Sequence, residues 1–325
     1  MEVLCRLSYS GTVDPRGSLA ERPAGVRANA AISWSDARVG GAPTDGNPSD
    51  MTRSRDGYEV RPLQQERLPQ IEMLRVFAHR PFMHGLLEAD VTGARRLIRE
   101  EADRTGERLS FTAFLIGCLA RAVEENREVQ AFRKGKRRII VFDEVDVATL
   151  VEVDAGGTRV PVFRVIRDAA RKSPWEIHRE ILAARSGGAE LDLLRRRIRW
   201  ARWLPGPLRA LLWRGLARAP RTWKRYGGTV VVTSVGMFGE GSGWGFPAPG
   251  GYPLSLTVGG IGERPALVDG TWEPREHLSL TVSFDHTIVD GAPAARFSAR
   301  LKELIERGHG VADRPEVGDR PPQEA

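Results

Sequence analysis

At 325 residues with 41% hydrophobic content, the chain is globular by composition and carries enough apolar material for the core of one large domain or two small ones. Its two cysteines, Cys5 and Cys118, exclude a disulfide framework and a cysteine-rich metal site, and no run approaches the roughly 20 apolar residues that span a bilayer. The net charge of +7 suits nucleic acid, anionic membrane or a phosphate-rich small molecule alike and does not choose among them. The first twenty residues lack a continuous apolar stretch, so the expected compartment is the cytoplasm.

Taken in chain order, residues 1–62 are rich in Gly, Pro, Ser, Asp and Arg without a period of 2 or 3.6, and are expected to be a disordered N-terminal segment. The globular pattern runs over residues 63–310. Thr92 is expected to cap a helix that passes through Leu97 and Ile98 and stops at Gly106. Ser110 is expected to cap a second, whose Phe111, Phe114, Leu115, Cys118, Leu119, Ala122 and Val123 recur at spacings of three and four and form a wide buried stripe. Residues 145–153 and 159–165 read as strands joined by a turn at Asp154-Ala-Gly-Gly157. Ser173-Pro-Trp-Glu176 is a capping-box helix start, with Gly187 past the end.

Further strands are expected at residues 229–235, 254–258 and 278–284, rich in β-branched or alternating apolar residues. In the last of these, extending the period of two puts His286 on the side of Phe284, pointing inward. After Gly291 the period changes, and Ala295, Phe297, Leu301, Leu304 and Ile305 mark a helix closing at Gly308. Residues 311–325 return to Pro, Glu and Asp and are expected to be a disordered tail. The fold class is α/β, a mixed sheet in a sandwich with helices.

A histidine at a strand end, followed by Asp290 and Gly291 at a sharp turn into a helix, suits a catalytic base. Imidazole, with an ordinary pKa of about 6.5, accepts and returns a proton near neutral pH. By itself such a histidine is more often a packed core residue. The histidines elsewhere, at 79, 84, 178, 277 and 309, have no metal-ligand spacing, so no metal is expected.

The stretch from Ser283 to Phe297, with its His-x-x-x-Asp-Gly core, resembles the active-site motif of the dihydrolipoyl acyltransferases of 2-oxo acid dehydrogenase complexes. The likeness extends to Gly228-Thr-Val-Val-Val-Thr-Ser-Val-Gly-Met-Phe-Gly239, to Val160-Pro-Val-Phe-Arg-Val-Ile-Arg-Asp-Ala169 and to the entry segment 75–91, in the family's order over roughly residues 65–308. The resemblance implies the chloramphenicol acetyltransferase-like mixed-sheet two-layer sandwich, assembled as a homotrimer or a multiple of three with its sites between subunits. It implies an acyltransferase that uses CoA or acyl-CoA as substrate, with His286 as general base, Thr233 as the hydroxyl that donates to the oxyanion, and Asp290 in an orienting role. Ser234 stands where the family commonly has asparagine, and Thr287 where it commonly has arginine; both departures bear on the acceptor. A catalytically silent scaffold or regulatory subunit of such a complex is the alternative.

A full-length relative carries a lipoyl domain with a modified lysine. Residues 1–62 contain no lysine, so no lipoyl attachment site is expected, and the acceptor is a lipoylated protein in trans or a small thiol, hydroxyl or amine. An additional segment, residues 193–225, holds eleven basic residues from Arg195 to Arg225, interleaved with Trp200, Trp203, Trp213 and Trp223, and no acid. It reads as a pair of surface helices broken at Pro205-Gly-Pro207, with CoA phosphate, partner protein, membrane or nucleic acid as its possible contacts. The Gly-rich stretch 239–251 lacks the lysine and context of a phosphate loop and is expected to be a loop lining the channel.

Overall fold

The computed structural model describes residues 52–53, 59–60, 63, 67–154, 159–186, 205–234 and 241–314, all within the compact unit Pro43–Ala325. Within the segment expected to be disordered, the short strands β1 (Thr52–Arg53) and β2 (Glu59–Val60) form an antiparallel pair. The domain then runs α1 (Leu68–Phe77), β3 (Phe82–Asp90), α2 (Thr92–Thr105), α3 (Phe111–Glu125), β4 (Phe132–Lys134), β5 (Arg138–Ile140), β6 (Val147–Asp154), β7 (Arg159–Ile166) and α4 (Pro174–Ser186). After residues outside the described set come α5 (Gly206–Ala217), α6 (Pro220–Gly227), β8 (Val230–Ser234), β9 (Leu254–Val268), β10 (Thr271–Asp285) and α7 (Gly291–Glu306).

Six strands make one mixed sheet in the order β3-β10-β9-β8-β6-β7. β8 runs parallel to both β6 and β9, and the other pairs are antiparallel. The inward residues of the central strands, Val230 and Val232, Leu254 and Leu256, Leu278 to Phe284 at every second position, are buried against α3, α4 and α7. Ten residues of α3 are buried, including Phe114, Leu115 and Leu119, so this helix is the spine of the core. Each large side chain there contributes roughly 2–3 kcal/mol by leaving water. The expected mixed-sheet sandwich is the architecture found.

The starts of the helices show which local signals acted. Ser173 and Glu176 make a reciprocal capping box, the Glu176 N–H donating to Ser173 Oγ at 3.2 Å and the Ser173 N–H to Glu176 Oε2 at 2.9 Å. Thr92 is not a cap. It is the first residue of α2, and its Oγ1 accepts the Glu276 N–H of β10 at 2.8 Å, while Asp90 Oδ1 takes the Thr92 N–H. Gly106 ends α2 at a φ of 75°, where a side chain would be strained. Val311, assigned by composition to the tail, is buried and accepts the Trp175 indole N–H at 2.9 Å. The expected turn at 155–157, Gly187 and residues 315–325 of the tail lie outside the described residues.

A second, smaller apolar cluster joins α1 to α5 and α6 through Phe77, Phe132 and Trp223, with Val76, Leu216, Ala217 and Tyr252 around them. Trp223 packs edge-on against Phe77 and Tyr252, and Gly251 lies so close to its indole that any side chain there would collide. Arg209 of α5 grips Glu72 of α1 through Nε and Nη2, with contacts between 2.9 and 3.1 Å. Of the Arg/Trp segment, therefore, Trp223 and Arg209 are docked on the domain, whereas Trp200, Trp203 and Arg195 to Arg202 lie outside the described residues.

Candidate active site

β10 stops at Asp285 because the chain turns there. The Asp285 carbonyl accepts the N–H groups of Ile288 and Val289, and its buried carboxylate accepts from the Thr287 N–H at 3.0 Å and the Thr287 hydroxyl at 2.7 Å. Arg80 Nη1 lies 3.8 Å from the other carboxylate oxygen and donates to the Gly251 carbonyl; burial lowers the guanidinium pKa and Asp285 opposes that shift. His286 donates its backbone N–H to Pro81 at 2.9 Å. The imidazole does not point inward as strand alternation predicted. It is half exposed, because the alternation ends one residue before it.

The ring is nonetheless held. His286 Nδ1 lies 3.0 Å from the Val289 carbonyl, an acceptor that can only be satisfied by an Nδ1–H. That bond fixes the tautomer and leaves the Nε2 lone pair free to take a proton. Asp290 Oδ1 stands 3.9 Å from Nδ1 and its side chain is 89% exposed, too far for a hydrogen bond. Asp290 instead precedes α7, where its carbonyl accepts the Ala294 N–H. At Gly291, placed by the sequence at the turn into this helix, a Cβ would meet nothing, and the backbone is not left-handed.

Thr233 sits near the end of β8, in register with Thr257 of β9, which faces Thr281 of β10. These hydroxyls belong to the sheet face opposite the core, with Ser255, Ser279 and Ser283; all are buried except that of Thr233, which is half-buried. The Thr233 hydroxyl lies 3.4 Å from Thr257 Oγ1, longer than a good O–H···O bond, so its proton is available to another acceptor. Thr281 Oγ1 is buried without a partner among the described residues. At the β3 end of this face, His84 Nδ1 meets Ser283 Oγ at 2.7 Å, and Phe246 packs edge-on against the same imidazole.

The Gly-rich loop crosses this face. Gly241 and Gly243 pass over a bulge at Gly259-Gly260, where an added Cβ would collide with their carbonyls, and Trp244 donates to the Leu87 carbonyl at 3.2 Å. Residues 235–240, just after Ser234, lie outside the described set.

One chain does not bring Thr233 and His286 together. From Thr281, the cross-strand equivalent of Thr233, His286 is five residues further along, so the two sites stand roughly 15–20 Å apart at strand spacings. Sequence reasoning missed Asp285 and Arg80, although the Asp-x-Thr spacing is itself a turn signal. It gave Cys118 no role, and burial in α3 pushes that thiol pKa far up, away from any nucleophilic use. Among the described residues, no three His, Cys, Asp or Glu side chains gather around a common point.

The model of the 2-oxoacid dehydrogenases acyltransferase (catalytic domain) family matches residues 66–193 and 216–311. The chain belongs to that acyltransferase family. It is 26% identical over 238 residues to the lipoamide acyltransferase component of the branched-chain alpha-keto acid dehydrogenase complex of Bacillus subtilis, covering 70% of this chain and 47% of that protein. The chain spans about half the length of the curated relatives it matches first. A probable dihydrolipoamide acetyltransferase of Listeria monocytogenes superposes with a TM-score of 0.55 at 24% identity, over 78% of this chain and 96% of that one. The cubic core of the pyruvate dehydrogenase multienzyme complex does so with a TM-score of 0.55 at 20% identity, over 83% and 99%. These likenesses show the acyltransferase-core fold. The interruption between the two matched stretches, residues 194–215, covers most of α5.

Proposed function

We propose that the chain is an acyltransferase that moves an acyl group between CoA and an acceptor supplied separately, a dihydrolipoyl group on another protein or another small thiol, hydroxyl or amine. The observation that carries this reading is the imidazole of His286, half exposed, with Nδ1 committed to the Val289 carbonyl and Nε2 left free. With a thiol acceptor, Nε2 takes the S–H proton as sulfur attacks the thioester carbonyl. The Thr233 hydroxyl donates to the oxyanion that forms. Collapse expels the CoA thiolate, which recovers the proton from the imidazolium. The protein contributes position, a base and one hydroxyl.

The separation of Thr233 from His286 within one chain supports a site completed by a second copy, in a homotrimer or a multiple of three. The fit to a cubic core is in keeping with such an assembly. Asp285 and Arg80 hold the His286 turn; Asp290 orients the entry to α7.

The test is turnover of acetyl-CoA with dihydrolipoamide and a panel of other acceptors, run beside sedimentation. His286→Ala is expected to lower turnover by at least about 10² with the assembly intact. Activity within a few-fold of the wild type would overturn the assignment, and a wild-type protein that transfers nothing from any acyl-CoA would leave a scaffold.

A further inference from the structure

Two cavities lie side by side between α5 and the His286 turn. The larger, about 700 Å³, is walled by α1 on one side and α5 on the other, with Val76, Pro207 and Ala210 as its apolar surface. The smaller, about 200 Å³, is bounded by Pro81, Pro253 and the residues on either side of His286, namely Asp285 and Thr287. His79 and Ala217 line both, so the two are neighbours across these side chains.

The rim of the larger cavity is basic. Arg75 of α1, Arg214 of α5 and Arg218 just past it all line it. The carboxylate in its wall, Glu72, is already taken by the two-pronged contact from Arg209. Among the described residues no carboxylate pairs with Arg75, Arg214 or Arg218, and Arg218 makes a long 3.5 Å bond to the Arg214 carbonyl. Three exposed guanidinium groups around one concavity, with their charge uncompensated, suit a ligand carrying several phosphate charges, since guanidinium binds phosphate by paired, charge-assisted bonds.

We infer that α5 and α1 form the phosphate-binding end of the acyl-CoA site, Arg75, Arg214 and Arg218 holding the phosphates of its nucleotide while the pantetheine arm runs past His79 and Ala217 toward His286. The inference rests on the acyl-CoA reading above and adds to it a subsite for the nucleotide phosphates, with Arg214 outside the stretches that match the family and Arg75 and Arg218 inside them. It also gives the uncompensated basic charge of the segment a use. The Arg209–Glu72 contact positions α5; the three arginines touch the ligand.

The probe is adenosine 3′,5′-bisphosphate, which carries nucleotide phosphates and no thioester, titrated calorimetrically into the wild type and the triple variant Arg75→Gln, Arg214→Gln, Arg218→Gln. The dissociation constant is expected to rise about tenfold or more, and the ratio of kcat/KM for acetyl-CoA to that for S-acetylpantetheine is expected to fall by a similar factor. The control is Arg221→Gln with Arg225→Gln, equally exposed cations on α6 that do not line the cavity; this pair is expected to leave the dissociation constant within about twofold. An unchanged constant in the triple variant, or an equal loss in the control, overturns the subsite, the latter in favour of a diffuse positive field. Lost binding to anionic vesicles with unchanged nucleotide binding also overturns it, in favour of a lipid contact. If the wild type transfers no acyl group, the acyltransferase reading fails, and bisphosphate binding still reports on the arginines.

Discussion

At the scale of single residues, the proposed chemistry depends on two side chains whose hydrogen bonds leave one function open. His286 spends Nδ1 on a backbone carbonyl, and Thr233 holds its hydroxyl only loosely against Thr257. For Thr233→Val, which keeps the β-branched shape on β8 and removes the donor, turnover is expected to drop on the order of 10² while KM for acetyl-CoA stays within a few-fold. An unchanged rate would mean that another group holds the oxyanion. The positions of His286 and Thr233 were legible in the sequence through the His-x-x-x-Asp-Gly motif and the Gly-Thr strand. The orientation of His286 was not, because it is decided by the Asp285 turn, where side-chain and carbonyl hydrogen bonds end the alternation.

At the scale of elements, α3 and α4 are joined by a contact that titrates. The Ser110 N–H, at the start of α3, donates to Nδ1 of the buried His178 on α4 at 3.1 Å. Burial lowers the His178 pKa, Arg185 and Arg179 push the same way, and Glu107, 3.8 Å from Nε2, opposes them. The unfolded chain takes up its proton near the ordinary value of about 6.5, before the folded chain does. This contribution to stability is therefore complete above that pH and is lost as pH falls from there toward the folded pKa. His178→Asn, whose side-chain oxygen accepts the Ser110 N–H without titrating, is expected to cost about 1 kcal/mol at pH 7.5 and to flatten the decline of the urea midpoint between pH 6.5 and 5. A variant with the wild-type slope would locate that decline elsewhere. His309, whose pKa burial also lowers, contributes in the same direction and sets the slope that remains.

Helix starts and core faces were legible where one signal dominated, as in the Ser173–Glu176 capping box. The lengths of β9 and β10 were not. Both run well beyond the expected 254–258 and 278–284, meeting at Asp269-Gly270, two residues with positive φ that make a tight hairpin turn. Their distal halves carry Glu263, Arg264, Glu273 and a Pro265–Pro274 pair in place of alternating apolar residues, so nothing in the periodicity announced strands. That ribbon extends past the partner strand β3, whose pairing with β10 ends at His277. Trp272, at 70% exposed, and Leu267 face each other near its tip.

At the scale of the whole molecule, a site built from Thr233 of one copy and His286 of another requires an assembly. Light scattering is expected to give a mass of three chains or a multiple of three, and a strictly monomeric active enzyme would contradict the shared site. The distance within one chain between the proposed oxyanion donor and the proposed base has a genetic counterpart. Two chains, each inactivated at one of these positions, are each other's remedy: the Thr233→Val polypeptide still brings an intact histidine, and the His286→Ala polypeptide an intact hydroxyl. Unfolded together in equal amounts and reassembled at random, the two dead proteins are expected to regain about a quarter of wild-type activity, the fraction of junctions at which the two intact halves meet. Either protein reassembled alone is expected to stay at about a hundredth of wild-type activity or below.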